Sequence, residues 1–243
     1  MKIIICEDYE EICIKAANIV IEEIKYNPNA VLGLATGSTP IGLYKEFADL
    51  YNEGKLDFSS VKTFNLDEYY KIQQTNPQSY YYFMNEHLFS KVNLLPENIN
   101  IPNGYADDPF DECIRYHKKI ELAGGIDIQL LGIGRNGHVG FNEPADYLQS
   151  NTHLVSLTED TIIANSRFFD SKGDVPTQAL TMGMGEILNA KKILLFMYGK
   201  GKATITKELF NNKITTNIPA TFLKMHNNIT LIMDKEAASE IEI

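Results

Sequence analysis

Six runs of strand length, most of them largely apolar, recur along the chain, and stretches with apolar residues at helical spacing separate them. This alternation constrains the fold most, because strands that alternate with helices form βαβ units and a mostly parallel sheet. Runs without polar alternation are expected where helices cover both faces of the sheet. The predicted strands are residues 2–6, 30–34, 61–65, 126–132, 192–198 and 229–233. The predicted helices are residues 9–25, 41–52, 79–88, 109–123, 202–211 and 219–225.

No repeat, low-complexity tract or linker interrupts this pattern. We therefore predict an α/β fold, a single catalytic domain over residues 1–243. Its mostly parallel, doubly wound, Rossmann-like sheet should carry helices on both faces. Asp8 and Asp108 each precede a predicted helix and are candidate caps for it.

The composition narrows the class of function. The 243 residues are 44% hydrophobic and 22% charged, with a formal net charge of −10. No basic stripe suits a nucleic acid, and no Lys/Arg cluster suits a membrane surface. The N-terminus turns acidic too early for a signal peptide, and no apolar run has the length of a membrane span. We expect a cytoplasmic protein with a small-molecule partner. The sequence leaves the oligomeric state open, a homo-oligomer included.

Polar segments follow four of the predicted strands, where ligands bind in parallel sheets. They are residues 35–40, 66–69, 133–138 and 199–202. Because the carboxyl ends of parallel strands lie at one edge, these segments should meet in one place. We therefore expect a single site built from four distant parts of the chain.

The first segment has the features of an anion-binding loop. Gly37 permits a positive φ, and Pro40 suits the first position of a helix. The amides and hydroxyls of Thr36, Gly37, Ser38 and Thr39 would then face an anion at the helix N-terminus. The segment lacks the Lys and the spacing of a nucleotide P-loop, which favours a monophosphate. An ordinary helix-capping turn is the alternative.

Two basic residues are further phosphate candidates. Lys202 opens a predicted helix, where its charge opposes the helix dipole and so suggests a nearby anion. Arg167 lies between polar and aromatic neighbours that could hold its guanidinium in place. A solvated surface Lys and a helix-surface Arg remain the alternatives.

Two carboxylates follow the third strand, and adjacent residues of an extended segment point to opposite sides. Only one of Asp67 and Glu68 can therefore face a given pocket. Asp67 is the candidate base for a carbon-bound proton, since partial burial would raise its pKa toward a useful value. The alternative is an Asp that caps the next turn.

His138 lies in a glycine-rich loop, residues 132–140, in which the backbone can approach a ligand closely. Glu143 follows near enough for the loop to bring the two side chains together. A His beside a carboxylate can move protons near neutral pH. The other four His residues fit structural roles better, and a structural role is also the alternative for His138.

The sequence predicts neither a metal site nor a cofactor. The His and Cys residues are dispersed without ligand spacing, and the carboxylates form no regular ligand series. Gly132, Gly134 and Gly137 match a dinucleotide fingerprint in spacing. However, no helix pattern follows them, so we interpret that match as accidental.

Together these segments resemble the glucosamine-6-phosphate deaminase family in order and spacing over nearly the whole chain. The matching stretches are residues 34–40, 64–69, 79–81, 132–144 and 164–169. The resemblance implies conversion of glucosamine 6-phosphate and water to fructose 6-phosphate and ammonia, a step of amino-sugar catabolism.

The resemblance also implies a role for each candidate. His138 would relay a proton that opens the sugar ring, with Glu143 and Asn136 holding the imidazole. Asp67 would shuttle a proton between C2 and C1. The loop 36–39, Arg167 and Lys202 would hold the phosphate.

This sequence departs from some family members in two places. Asn136 stands where some members have Asp, so Glu143 should be the main carboxylate partner of His138. Residues 145–156 contain no Lys or Arg, where the allosteric members resemble one another in a basic effector site. We therefore expect no activation by N-acetylglucosamine 6-phosphate.

Three other functions remain as alternatives. A 6-phosphogluconolactonase would share the fold and a Gly-His loop, but its motifs usually differ from those around Asp67 and after His138. A sugar-phosphate-sensing module would need no Asp67 and would normally carry a basic DNA-binding helix. An aldose–ketose isomerase without deamination shares the enolisation step, and only the resemblance argues against it.

Overall fold

The computed structural model describes residues 1–166, 169 and 175–241. Its ten strands follow the predicted order, with four additional short ones. They are β1 (Lys2–Cys6), β2 (Val31–Leu34), β3 (Lys62–Asn65), β4 (Asp67–Tyr69), β5 (Ile99–Asn100), β6 (Ile128–Gly132), β7 (His153–Ser156), β8 (Gln178–Thr181), β9 (Lys192–Met197) and β10 (Ile229–Asp234). All six predicted strands are present, with ends that differ by at most two residues.

Seven α-helices lie in the described part of the chain, and 3-10 turns add short connections. The helices are α1 (Tyr9–Tyr26), α2 (Ile41–Asn52), α3 (Tyr80–His87), α4 (Pro109–Leu122), α5 (Glu159–Ser166), α6 (Met184–Leu188) and α7 (Ala203–Phe210). Asp8 caps α1 through the amide of Glu11, and Asp108 caps α4 through two amides, as predicted. The predicted helix at Pro219–Met225 is a 3-10 helix.

Seven strands form one parallel sheet in the order β1-β10-β9-β6-β2-β3-β5. Helices α1, α2 and α3 bury their apolar residues on one face of this sheet. Helices α4, α6 and α7 do so on the other face. The predicted doubly wound α/β fold is therefore confirmed.

The strand order reverses between β2 and β6. From β2 the chain moves outward to β3 and β5, whereas from β6 it moves in the opposite direction to β9 and β10. Such a switch point opens a crevice beyond the carboxyl ends of the strands. The four strands that precede the predicted site segments, β9, β6, β2 and β3, are consecutive neighbours across this point.

A second, antiparallel sheet in the order β4-β8-β7 covers the same edge. Asp67 pairs with Thr181 in it, and the amide of Met182 donates to the carbonyl of Leu66. The sequence did not predict this sheet, since its three strands have only three or four residues each. It places Asp67 beside the main sheet. No helix of the described residues is long and apolar enough to cross a membrane.

Candidate active site

The loop from Thr36 to Thr39 connects β2 to α2 at the switch point. Gly37 has φ of +93°, as expected from the sequence. Pro40 stands at the N-cap of α2, and its own side chain accepts no hydrogen bond from the first amides of the helix. Within the described part of the chain, the backbone N–H groups of residues 36–39 donate no hydrogen bond. Free amides at a helix N-terminus are suited to an anion.

Tyr9, which the sequence did not identify as a site residue, holds this loop through hydrogen bonds. Its hydroxyl donates to the carbonyl of Thr39 at 2.7 Å and accepts from the amide of Gly42 at 2.9 Å. Its ring packs against Tyr198, with 4.8 Å between the centroids. Tyr9 therefore binds a carbonyl of this loop and leaves the amides of residues 36–39 available for a ligand. No spacing in the sequence pointed to it.

Lys202 lies at the N-cap of α7 and extends across to the loop that follows β6. Its Nζ donates to the carbonyl of Ile133 at 2.5 Å. Burial lowers the pKa of Lys202, and the nearby charge of Arg135 lowers it further. The contact joins two of the four predicted site segments. Among the described residues, no carboxylate forms an ion pair with Lys202.

Arg135 is a second cation at the same edge and was not among the predicted site residues. Its Nη2 lies 4.0 Å from the position that a Cβ would take on Gly201, next to Lys202. No carboxylate among the described residues forms an ion pair with Arg135 either. Two unneutralised cations side by side are unfavourable unless an anion binds between them. Arg135 could have been predicted as a site residue only from the adjacency of β6 and β9, which the sequence does not show.

Asp67 is buried, with 6% of its surface exposed. Burial raises the pKa of its carboxyl to about 8, with a smaller contribution from the charge of Glu68. A base with a pKa near 8 has a stronger affinity for protons than an ordinary Asp and still ionises near neutral pH. The environment of Asp67 therefore suits proton abstraction from carbon.

The side chain of the neighbouring Glu68 points away from Asp67 and accepts hydrogen bonds from backbone amides. Its carboxylate accepts hydrogen bonds of 2.9 Å from the amides of Tyr69, Tyr80 and Tyr81. Burial raises the pKa of Glu68 to about 7, although these three N–H groups work in the opposite direction. Glu68 thus ties β4 to the N-terminus of α3 and fixes the strand that carries Asp67.

Aromatic rings pack together in the part of the site around Asp67. Tyr69 packs against Tyr80, Phe141 and Phe169, with centroid distances of 4.8, 5.9 and 5.9 Å. Tyr80 and Phe141 are stacked at 6.2 Å. Tyr69, Tyr80 and Phe141 belong to β4, α3 and the loop after β6, and Phe169 follows α5. These rings provide the apolar surroundings that accompany the burial of the Asp67 carboxyl.

His138 and Glu143 meet inside the loop after β6. Nδ1 of His138 lies 3.1 Å from Oε1 of Glu143, which is ion-pair distance, without forming a hydrogen bond to it. Asn136 donates from Nδ2 to Oε2 of Glu143 at 2.7 Å and accepts from the His138 amide at 3.1 Å. Asn136 therefore contacts the carboxylate and the backbone of His138, and Glu143 is the carboxylate beside the imidazole.

Opposing effects set the proton affinity of Glu143. Burial works to raise its pKa, but contacts with the imidazole, with Asn136 and with the Thr161 hydroxyl outweigh burial and lower the pKa. Glu143 therefore presents an ionised carboxylate to the imidazole of His138. A fixed negative charge beside an imidazole helps to orient its ring.

Gly134 provides the surface on which the His138 ring lies. A Cβ at residue 134 would stand 2.4 to 2.5 Å from three atoms of the imidazole. The amide of Gly134 also donates to the carbonyl of His138 at 2.9 Å. Only glycine allows this close approach, which explains the glycine inside the loop.

The loop that carries His138 also contacts Asp67. The position of a Cβ on Gly140 lies 3.4 Å from Oδ2 of Asp67 and 3.0 Å from Oγ1 of Thr181. Asn142 donates to the carbonyls of Val139 and Met182, which fixes the end of the loop against the second sheet. The structure thus brings Asp67, His138, Asn136 and Glu143 to one edge, with the loop 36–39 and Lys202 on adjacent strands.

Arg167, the remaining phosphate candidate, lies outside the described residues. Within the described ranges, no group of three or more His, Cys, Asp or Glu side chains is arranged to hold a metal ion. The arrangement combines an anion subsite, a buried carboxylate with raised pKa, and an imidazole paired with a carboxylate. Such a set can bind a phosphorylated substrate, move a proton to or from carbon, and relay a second proton.

Comparison with known proteins gives a consistent result. Residues 7–232 match the family model described as glucosamine-6-phosphate isomerases/6-phosphogluconolactonase. A glucosamine-6-phosphate deaminase of Thermoanaerobacter sp. (strain X514) is 54% identical over 241 residues, covering 99% of this chain and 95% of that protein. The deaminase of Clostridium botulinum (strain Kyoto / Type A2) is 53% identical over the full length of both chains.

Solved structures agree with the sequence relatives. A monomeric glucosamine-6-phosphate deaminase superposes with a TM-score of 0.96 at 46% identity, covering 99% of this chain and 100% of that one. The 6-phosphogluconolactonase of Trypanosoma brucei superposes with a TM-score of 0.80 at 17% identity, covering 99% and 98% of the two chains. The second likeness shows that the two proteins share a fold.

Proposed function

Since the chain belongs to the glucosamine-6-phosphate isomerase and 6-phosphogluconolactonase family, we infer that it acts as a glucosamine-6-phosphate deaminase. The reaction converts glucosamine 6-phosphate and water to fructose 6-phosphate and ammonia. It needs a phosphate subsite, a group that opens the ring, and a base for a carbon-bound proton. We propose that one catalytic domain, residues 1–243, provides all three.

The phosphate binds at the switch point of the sheet. The free amides of residues 36–39 and the hydroxyls of Thr36, Ser38 and Thr39 face it at the N-terminus of α2. Lys202, which follows β9, supplies a positive charge, and Arg135, which follows β6, adds a second. Arg167 completes the subsite in this proposal by virtue of the family likeness.

His138 opens the ring. Its imidazole takes the proton of the C1 hydroxyl and returns a proton to the ring oxygen, which leaves a free aldehyde at C1. Glu143 stabilises the protonated imidazole during this relay, and Asn136 holds Glu143 in place. The position of the ring over Gly134 fixes which way the imidazole faces.

Asp67 then moves a proton between two carbons. The carboxylate takes the proton from C2, the electrons of that bond form the C1–C2 double bond of an enolamine, and the C1 carbonyl oxygen takes up a proton from water to become a hydroxyl. Return of the proton to C1 leaves an imine at C2, which water hydrolyses to the ketone as ammonia leaves. A carbon acid needs a strong base, and the buried Asp67, whose pKa is about 8, meets this need.

One observation supports this function above the others: a buried carboxylate with a raised pKa faces the loop that carries an imidazole–carboxylate pair. Hydrolysis of a lactone requires a base for water, for which burial among aromatic rings is no advantage. Proton abstraction from carbon benefits from that burial directly.

An assay of the purified protein with glucosamine 6-phosphate tests the proposal. Ammonia and ketose phosphate should form in equal amounts, without added metal or cofactor. Parallel incubation with 6-phosphogluconolactone should give no hydrolysis above the rate without protein. Ketose phosphate without ammonia would indicate a simple isomerase, and lactone hydrolysis alone would replace the proposal with a lactonase.

The proposal also covers the allosteric regulation, the oligomeric state and the cellular location of the protein. Residues 145–156 lack Lys and Arg, so N-acetylglucosamine 6-phosphate should leave the rate unchanged. Sigmoidal kinetics relieved by that compound would contradict this. The solved relative with 46% identity is a monomeric deaminase, and we propose a monomer in the cytoplasm here. Sedimentation velocity would show a dimer if the assembly differs.

A further inference from the structure

We propose that Thr161, at the start of α5, is a positioning residue that sets the Glu143 carboxylate against His138. Its hydroxyl donates to Oε1 of Glu143 at 2.8 Å. This is the same oxygen that faces Nδ1 of His138 at 3.1 Å. The inference rests on the proposed function, and it adds to the site a residue from an element that the sequence analysis did not identify.

The two oxygens of Glu143 have separate partners. Oε2 accepts from the amide of Asn136 at 2.7 Å. Among the described side chains, Thr161 is the hydrogen-bond donor to Oε1, since Nδ1 of His138 forms no hydrogen bond. A buried carboxylate with one oxygen fixed can still rotate about the bond to its chain. Fixing both oxygens sets the plane of the carboxylate and therefore the direction of its charge toward the imidazole.

The Thr161 hydroxyl is itself oriented. Thr158, which is exposed just before α5, donates from Oγ1 to Oγ1 of Thr161 at 3.0 Å. Because that lone pair is occupied, the proton of Thr161 points toward Glu143. The contact also spans separate parts of the fold, since Glu143 lies in the loop after β6 and Thr161 in a helix after β7.

The two oxygens of the Glu143 carboxylate are therefore held by two different elements. Asn136 holds Glu143 to its own loop, and Thr161 holds it to α5. Removing the Thr161 hydroxyl should leave substrate binding intact, because this hydroxyl donates to Glu143 and not to the loop 36–39 or to Lys202. It should impair the proton relay by His138, because Oε1 loses its aligned donor.

Thr161→Val and Thr161→Ser form a matched pair for the test. Val keeps the branched shape without the hydroxyl, whereas Ser keeps the hydroxyl without the methyl group. Val should lower kcat about 10- to 100-fold, as expected for loss of one hydrogen bond to a charged group. The KM for glucosamine 6-phosphate should change less than about twofold for that step. Ser should retain most of the activity.

The pH titration of the Glu143 carboxyl by carbon NMR gives a readout that does not depend on catalysis. Loss of a donor to the ionised form should move the pKa of Glu143 upward in Val and leave it unchanged in Ser. An unchanged titration in Val, or Ser as impaired as Val, would overturn the proposal. Failure of the wild-type protein to release ammonia would refute the proposed function, and the NMR result would still decide the positioning role.

Discussion

Replacement of Asp67 by Asn should make the protein more stable, by an amount that grows with pH. Asp67 has an ordinary pKa of 3.8, and burial raises it to about 8 in the folded chain. Between these values the folded state binds a proton that the unfolded state releases. Stability contributed by this group is therefore fully present at acid pH and is lost as pH rises toward 8.

The size of the effect follows from the shift. Each pH unit between the two pKa values costs about 1.4 kcal/mol of unfolding free energy. From pH 5 to pH 8 the wild-type protein should therefore lose about 4 kcal/mol through Asp67 alone. Asn is neutral and of nearly the same size, so the variant does not carry this cost.

Urea unfolding of both proteins at pH 5, 6.5 and 8 measures the difference directly. Ionisation of the other groups affects both chains alike and cancels in the comparison. The variant should gain on the order of 4 kcal/mol over the wild type between the ends of this range. Asp8→Asn, at an exposed helix cap, is a control that should show no such rise.

A constant difference between the two proteins at every pH would refute the reasoning. It would mean that Asp67 ionises as an ordinary Asp despite its burial, and the argument for a strong carbon base would fail with it. A difference that shrinks with rising pH would mean that the ionised carboxylate has a stabilising partner in the folded chain.

Three further substitutions test other parts of the site. Arg135→Ala should raise the KM for glucosamine 6-phosphate about tenfold with a smaller change in kcat, since one charge-assisted contact to phosphate is lost; Lys200→Ala, an exposed residue after the neighbouring strand β9, is the control and should leave KM unchanged. Gly134→Ala should lower kcat strongly and cost about 1–3 kcal/mol in thermal or urea unfolding, because its Cβ would meet the His138 ring; unaltered kinetics would show that the ring has room to move. Glu143→Gln should slow turnover more than it weakens substrate binding measured by calorimetry, and unchanged turnover would remove Glu143 from the relay.

The fold was predictable because its strands are long enough to show their pattern. The largely apolar character of β6 and β10 indicated a parallel sheet covered on both faces. The second sheet escaped prediction, because β4 has only three residues and includes two carboxylates. Its pairing partners lie more than a hundred positions away, and local pattern carries no information about such contacts.

The site was predictable where function imposes an unusual local sequence. The glycines around His138 and the turn at Gly37 are visible because backbone geometry demands them. Tyr9, Arg135 and Thr161 were missed for a different reason. Each lies against a neighbour from another strand end or helix, and its residue type is ordinary at its position. Such residues become visible only once the strand order is known.

Ammonia release by the Asp67→Asn variant tests the central claim most directly. Calorimetry should show that the variant binds glucosamine 6-phosphate within a few-fold of the wild-type affinity, since the phosphate subsite is intact. Its rate of ammonia release should fall by about 10²- to 10⁴-fold, the contribution expected of a positioned base. Turnover within about tenfold of the wild type would contradict the account, because another group would then have to move the proton between C2 and C1.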